Sequence, residues 1–461
     1  MTIRLEALGS RLGSFASLLL GVCLVTSTAG AQTPAVKPQT PDIKVPAPIT
    51  IPAPNDPNVM AGKAALTVEE AVLIALERQS TVRSARAGVE AATGRTQQSK
   101  SDLGPQFSAS AGITEQRQLR GATQGTPNRF STSVSVDQLL FDFGRTRNAV
   151  RQQEALERAT RFTLEREIQD VALNTRLLYF DLVGALRQIK SAEDNLSNRQ
   201  RQLDLATALV NSGLGSPADE VRAKTNFADG VLALEAARQA ALDTRVFLAE
   251  QMGIDPRTPL TPTGEDTPGA SPTTDQLMPL VDEALKNRPE VAEAQQRLMA
   301  AGLGLAVAKL SNSPSISLNG NISNRGADDP LASSTGTLGV FLSWRFGDSG
   351  FTAGRTREAK ALEDQARASL EDTSLRIISE VSRALTSALS ARNRVETAIA
   401  QLANARELLR ISEGRYRGEI GQFLEITDAQ NSLFAAERNL NQAISDANRA
   451  DARLRRTLGR R

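Results

Sequence analysis

Between residues 106 and 143, apolar and polar positions alternate. In FSASAGI, Phe107, Ala109, Ala111 and Ile113 alternate with Ser108, Ser110 and Gly112, and in FSTSVSVDQLL the apolar Phe130, Val134, Val136 and Leu140 alternate with Ser131, Ser133, Ser135 and Asp137. A period of two is that of a strand. It returns between 315 and 347, first as Ile316, Leu318 and Ile322 against Ser317, Asn319, Asn321 and Ser323, then as Leu338, Val340, Leu342, Trp344 and Phe346 along one face. Such strands come close to the roughly 9 to 11 residues that a tilted strand needs to cross a bilayer. A sandwich with one wet face would show the same alternation. Two widely separated hairpins, however, are too few for a sandwich core or a closed barrel. In lipid an open sheet edge leaves backbone groups unpaired, so the pattern predicts an oligomer whose chains pool their strands.

The rest of the chain is patterned as helix. Residues 67–103 read as one short helix, ended by Gly104 and Pro105, because proline disfavours helix in the residue before it. The stretch 145–212 has no proline and a single glycine, Gly184, which predicts a rod of about 100 Å at 1.5 Å per residue. Leu182, Ile189, Leu196, Leu203 and Val210 fall at strict sevens along it, with Ala185, Ala192 and Ala206 between them. A sustained seven-residue repeat implies left-handed supercoiling against a partner helix. The same pattern recurs as Ala388, Val395, Leu402, Leu409 and Tyr416, with Ala391, Ala398 and Ile399 nearby. A second short helix is expected at about 219–252. The two short helices together are as long as the long one, so stacked end to end they would lie along it. An independent coiled coil would account for the heptads but not for the strands.

The halves match. ALERQSTV at 75–82 faces ALKNRPEV at 284–291, Pro105 faces Pro314, GRTR at 144–147 is repeated at 354–357 so that Gly144 faces Gly354, and the two heptad series run in parallel. The chain thus reads as a tandem helix–strand–strand–helix duplication with long units, unlike a solenoid. The copies are placed at 66–255, with a hairpin at 106–143, and at 272–461, with a hairpin at 315–347. A linker at 256–271 separates them, and a proline-rich linker occupies 32–65.

Charge and composition narrow the function. Lys and Arg number 54 against 52 Asp and Glu, spread along the chain, so nucleic acid is not an implied partner. Residues 1–31 carry Arg4 and Arg11, an apolar run at 15–25 and a small-residue Ala29-Gly30-Ala31 site, the form of a secretory signal peptide. The only cysteine, Cys23, lies within it, after a Val22 that suits lipidation poorly. The mature chain would then lack both Cys and His, removing thiolate and imidazole chemistry and most transition-metal sites. Neither a phosphate-binding glycine loop nor a nucleophile elbow occurs, so no catalytic residues, no metal and no cofactor are assigned, and the chain is not read as an enzyme.

In this order and spacing, the two copies, the helix-to-strand prolines Pro105 and Pro314, LLFDFGRTR at the strand-to-helix junction and YRGEIGQFLEITDAQNSLFAAERNL at 416–440 resemble the TolC family of bacterial outer-membrane export channels. The resemblance covers essentially all of the mature chain. It implies a mainly α fold with a small membrane β-barrel part: a homotrimer in which four strands per chain close a twelve-stranded barrel in outer-membrane lipid, above a helical tube crossing the periplasm. The far end of the tube would meet a periplasmic adaptor protein and an inner-membrane pump. The implied function is a passive exit duct for small-molecule efflux, with a type I secretion channel for unfolded proteins as the alternative. From another class of function, a non-conducting periplasmic spacer or tether is also weighed.

By residue type alone, Asp219 in SGLGSPADEV is a helix-capping acceptor behind Ser216 and Pro217. The resemblance gives it a second role in a gate, with Tyr416, Glu425 and Asp428. Glu425 and Asp428 are spaced i and i+3, on one helix face, where threefold repetition would stack two acidic rings in a pore; a solvated helix start would use the same charges. The family's gate arginine falls on Gly421, leaving Arg415 or Arg417 as substitutes. Arg117, Arg120 and Arg129, between the first two strands, read as solvated loop residues.

Overall fold

The structure is a computed structural model that describes residues 66–114, 129–263, 277–326, 333–418 and 420–460. The signal peptide at 1–31 with Cys23, the linker at 32–65, Arg117, Arg120, the side chain of Arg129 and the 264–271 part of the inter-repeat linker lie outside the described residues. The first series of elements is α1 (Val68–Arg78), α2 (Ser80–Ser101), β1 (Gln106–Thr114), β2 (Arg129–Phe141), α3 (Arg145–Asn211) and α4 (Pro217–Gln251). The second repeats that order as α5 (Leu277–Asn287), α6 (Pro289–Lys309), β3 (Ser315–Gly326), β4 (Ser333–Ser343), α7 (Phe351–Arg417) and α8 (Phe423–Thr457).

The short helix expected at 67–103 is two helices. Thr67 opens α1 with a reciprocal capping box to Glu70, and the chain then leaves the helical conformation at Gln79 (φ −63, ψ 130), whose side-chain carbonyl takes the Ser80 N–H at 2.7 Å. In the second copy the break falls at Arg288, because Pro289 opens α6 and pushes the residue before it into extended backbone. Both joints are closed from the other side by a left-handed glycine just after the second short helix. Gly253 (φ +67) lies against Arg78 and Gly459 (φ +74) against Asn287, so closely that a Cβ would come within 3.0 Å of Arg78 backbone and 2.9 Å of Asn287 backbone.

The long helices α3 and α7 have 67 residues each, about 100 Å of rod. Along α3, α2 packs over one half, where Thr93 reaches Glu157 and Lys100 reaches Glu154, and α4 over the other, where Leu234 and Ala237 meet Ala192. The second copy pairs α7 with α6 and α8 in the same way, and α3 touches both α6 and α8 to join the copies. The seven-residue series faces these seams: Leu182, Ala192, Ala206, Ala388, Leu402 and Leu409 are buried, and alanine at so many of them lets the helix axes close up. Ile399 departs from the series and points outward, 54% exposed.

The four strands form one antiparallel sheet in the order β1-β2-β3-β4. Register places Phe107, Val136, Gly320 and Leu338 in one row and Ala109, Val134, Ile322 and Gly336 in the next, an apolar face open to the surroundings. On the opposite face Ser108, Ser135, Asn321 and Thr337 line up beside Ser110, Ser133, Ser323 and Thr335, with serine hydroxyls paired across β1 and β2 at 2.7 and 2.8 Å. Among the described residues, β1 and β4 have no neighbour on their outer sides. Trp344 and Phe346, expected within the fourth strand, lie beyond its end at Ser343. They stack edge-on at 6.1 Å, and at the same end of the sheet Phe141 and Phe143 do so at 4.8 Å. These exposed rings sit where strands give way to helices, as an interfacial aromatic girdle does. No described helix is long and apolar enough to cross a membrane.

Candidate functional site

The strand-to-helix junctions fix how the rods leave the sheet. Pro105 and Pro314 stand directly before the first residues of β1 and β3. After β2, Phe143 (φ +59) and Gly144 (φ +88) turn the chain through two left-handed residues, and Asp142 reaches past them to accept the Gly144 N–H at 3.1 Å, the Thr146 N–H at 2.7 Å and the Thr146 hydroxyl at 2.6 Å. Before α7, Ser349 (φ +49) and Gly350 (φ +90) do the same, with Asp348 accepting from Gly350 at 3.1 Å and Thr352 at 2.8 Å. The junction glycine of the second copy is therefore Gly350, not Gly354. Gly354 sits inside the first turn of α7, its N–H bonded to the Gly350 carbonyl, with open space where a side chain would go. The true recurrence is Asp-x-Gly-x-Thr at 142–146 and 348–352, and the repeated GRTR is out of register with it. Burial of Asp142 works to raise its pKa, but the Thr146 and Gly144 hydrogen bonds and the Arg145 charge outweigh it and hold the carboxyl below its ordinary range.

At the opposite end, each long helix turns into its short partner through one shared geometry. The N–H groups of Leu214 and Gly215 both donate to the Leu209 carbonyl, at 3.0 and 2.9 Å, and those of Ile420 and Gly421 both donate to the Arg415 carbonyl, at 3.0 and 3.1 Å. A Cβ on Gly215 would stand 2.8 Å from the Val210 nitrogen, and one on Gly421 would stand 3.0 Å from the Arg415 Cβ and 3.1 Å from the Tyr416 nitrogen. Position 421, where the resemblance puts an arginine, is thus occupied by the glycine that folds this turn. Of the two suggested substitutes, Arg415 reaches a candidate residue: its Nε lies 3.2 Å from Glu425 Oε2. Arg417 faces Glu413 at 3.9 Å instead.

Asp219 and Glu425 hold equivalent third positions in α4 and α8. Ser216 caps α4, its hydroxyl accepting from Ala218 at 3.3 Å with Pro217 next, whereas Gln422 gives α8 no side-chain cap. One turn on, the copies differ: Asp219 pairs with Arg222 at 3.5 Å, while Glu425 is followed by Asp428, exposed and without a cation of its own among the described residues. The acidic doublet therefore belongs to the second copy alone. Tyr416 packs edge-on against Phe423 at 5.9 Å, over Ala206 and Ala223 of the first copy. Burial, and then the nearby Asp219 carboxylate, push its phenol pKa up. The fold brings Tyr416 and Asp219 together across the two copies, but among the described residues no hydrogen bond joins them.

Sequence reading missed Arg199. From α3 it donates to the Asn226 carbonyl at 2.5 Å and to Asn431 Oδ1 at 3.1 Å, so one side chain ties α3 to α4 and α8 just above the tips. Gly230 makes room for it, since a Cβ there would lie 3.0 Å from the Arg199 Cδ. The heptad count, which follows only apolar positions, passes over such a residue.

A two-faced sheet with free edges, carried on paired rods that end in charged turns, defines one stave of an outer-membrane duct. The chain belongs to the outer membrane efflux protein family, whose profile matches it twice, over residues 72–253 and 280–460. It is an outer-membrane channel component that reaches into the periplasm. It is 28% identical over 417 residues to the outer membrane efflux protein BepC of Brucella suis biovar 1, covering 87% of this chain and 88% of that one. It is 26% identical over 400 residues to the cation efflux system protein CusC of Escherichia coli O157:H7, covering 82% and 81%. The solved structure of the outer membrane protein VceC of Vibrio cholerae superposes with a TM-score of 0.72 at 19% identity, covering 85% of this chain and 96% of that one, a likeness of fold.

Proposed function

We propose that three copies pool their sheets into a twelve-stranded barrel and their rods into one periplasmic tube, a passive exit duct whose far end meets an adaptor protein attached to an inner-membrane pump. The observation that carries this reading is the open four-stranded sheet, with strands of 9, 13, 12 and 11 residues, an apolar face and a serine-rich face. Among the described residues neither β1 nor β4 has a partner on its outer edge, and lipid offers none, so a neighbouring copy is the natural donor. Apolar side chains then meet lipid, polar ones line the lumen, and outer-membrane lipid is a direct partner.

At the tube's far end the gate residues are Asp219, Tyr416, Glu425 and Asp428. Threefold repetition of Glu425 and Asp428 makes two acidic rings one helical turn apart, which favour cations and let multivalent ones block. Arg415 stands where it can neutralise part of the Glu425 ring. Conduction needs no turnover, and energy enters at the pump. The cargo is small molecules, in keeping with the efflux systems named for BepC and CusC. Deletion of the gene tests this: hypersensitivity to toxic compounds supports efflux, and loss of a large protein from the medium with unchanged sensitivity shifts the reading to type I secretion. Native mass spectrometry of detergent-solubilised protein tests the assembly, and a stable monomer overturns it.

A further inference from the structure

Around the two tip turns, over residues 209–225 and 409–430, the described carboxylates have cations beside them with one exception. Asp219 pairs with Arg222 at 3.5 Å, Glu220 with Lys224 at 2.7 Å, Glu413 with Arg417 at 3.9 Å and Glu425 with Arg415 at 3.2 Å. Three of these pairs span one turn of their own helix. The fourth crosses between helices, from the last turn of α7 to the first turn of α8. Asp428 is the exception: it is exposed and has no cation among the described residues. In the first copy its place is taken by Arg222, 206 positions earlier, as Asp219 is to Glu425.

The turn does not need the Arg415 side chain. In the first copy Leu209 holds the same position, its carbonyl takes the matching two N–H groups, and the turn closes without a charge. Nor does stability account for the contact: the two side chains are 53% and 42% exposed, and pairs so open to water contribute little. What the contact changes is the field. A guanidinium 3.2 Å from a carboxylate leaves almost no net charge for an ion passing at a larger distance, whichever way the pair is turned. Gly421 makes room for it, since a Cβ there would stand 3.0 Å from the Arg415 Cβ.

We propose that Arg415 is a selectivity-determining residue of the duct: it cancels the Glu425 ring and leaves the Asp428 ring to attract cations at the constriction. The inference rests on the trimeric duct proposed above and deepens it, because two stacked carboxylate rings then act as one. Multivalent cations are held by three charges where six would hold them more tightly. Weaker holding favours passage, since conduction needs a site that ions can leave as well as enter.

The test is block of single-channel current by magnesium ions, added from the tip side of a planar bilayer in about 0.1 M potassium chloride. Wild type is compared with Arg415→Gln, with Arg415→Gln/Glu425→Gln, with the charge-keeping Arg415→Lys, and with Arg410→Gln, a surface control on the same helix that pairs with Glu407. Arg415→Gln should tighten block roughly five-fold, the effect of three more charges about 10 Å from a divalent ion at that ionic strength. The double variant, Arg415→Lys and the control should be blocked as wild type is. Block of Arg415→Gln at the wild-type level, a double variant blocked less than wild type, or equal tightening by Arg410→Gln overturns the assignment and leaves the duct standing. Silent wild-type protein overturns the duct and the assignment together. Should Arg415→Gln fail to assemble, Glu425→Gln/Asp428→Asn decides, because it leaves three Arg415 charges alone at the constriction. Its reversal potential in a potassium chloride gradient should turn to anion preference, and a pore that stays cation-selective or becomes indifferent overturns the assignment.

Discussion

Asp142 and Asp348 occupy the same place in the two copies but in different surroundings, which makes them an internal comparison. Asp142 is 6% exposed and accepts from two N–H groups and the Thr146 hydroxyl, whereas Asp348, with the matching glycine and threonine as partners, is more accessible. A lost cap costs about 1 kcal/mol, up to about 2, and charge-assisted bonds in a buried setting fall at the upper end. Asp142→Ala should therefore cost about 2 kcal/mol at the head of α3, equal to about a thirty-fold rise in local opening. Asp348→Ala, at the more solvent-screened carboxylate, should cost less. Hydrogen exchange at the Thr146 and Thr352 amides reads the two directly. The sign with pH follows from the lowered pKa of Asp142: its contribution is complete above the unfolded carboxylate value of about 3.9 and is lost as pH falls through the lower folded value. Asp142→Asn should flatten that acid loss. Equal effects of the two alanine substitutions, or an unchanged Thr146 amide in Asp142→Ala, would refute the assignment of these carboxylates as the junction caps.

Other substitutions probe the remaining parts. Gly215→Ala forces a methyl group against backbone at 2.8 Å and should lower thermal stability by about 1 to 3 kcal/mol, more than Gly421→Ala, whose nearest neighbour is the Arg415 Cβ at 3.0 Å. Glu290→Gln removes the shared partner of two buried arginines and should cost about 3 to 5 kcal/mol in melting experiments near neutral pH. Burial works to raise the Glu290 pKa, but Arg288 and Arg456 outweigh it and hold the carboxyl at about 2. Its contribution should therefore stand above about pH 4.3 and drain away only as pH falls toward 2, so a melting curve indifferent to pH between 5 and 2 would contradict the network. On the sheet, Val134→Arg puts a charge on the lipid face and should cost about 2 to 4 kcal/mol near the midplane, reducing the folded protein recovered from outer membranes. Ser133→Arg, one residue away on the lumen face, should leave that yield unchanged.

The sheet and the long rods were legible because period two and period seven survive in the apolar positions themselves. Phe107, Val134, Ile322 and Leu338 announce a face before any pairing is known, and register follows once four strands share one sheet. The breaks at Gln79 and Arg288 were harder to see. The first depends on a glutamine capping its neighbour, and its proline counterpart, Pro289, was read only as part of a match between halves. The junction was misplaced by four residues because a run of identical letters, GRTR, outweighed the sparser Asp-x-Gly-x-Thr that carries the hydrogen bonds. At the tips, the acidic spacing of Glu425 and Asp428 was visible in the sequence, whereas the Arg415 contact to Glu425 exists only because the turn at Gly421 folds α8 back beside α7. Arg199 left no periodic trace, since it ties together helices far apart in the chain.

Single-channel recording in a planar bilayer tests the duct itself most directly. Purified protein should give unitary current steps that multivalent cations block from the tip side, and Glu425→Gln with Asp428→Asn should raise conductance and weaken that block. A bilayer that stays silent with wild-type protein, or a block indifferent to both carboxylates, would contradict the account.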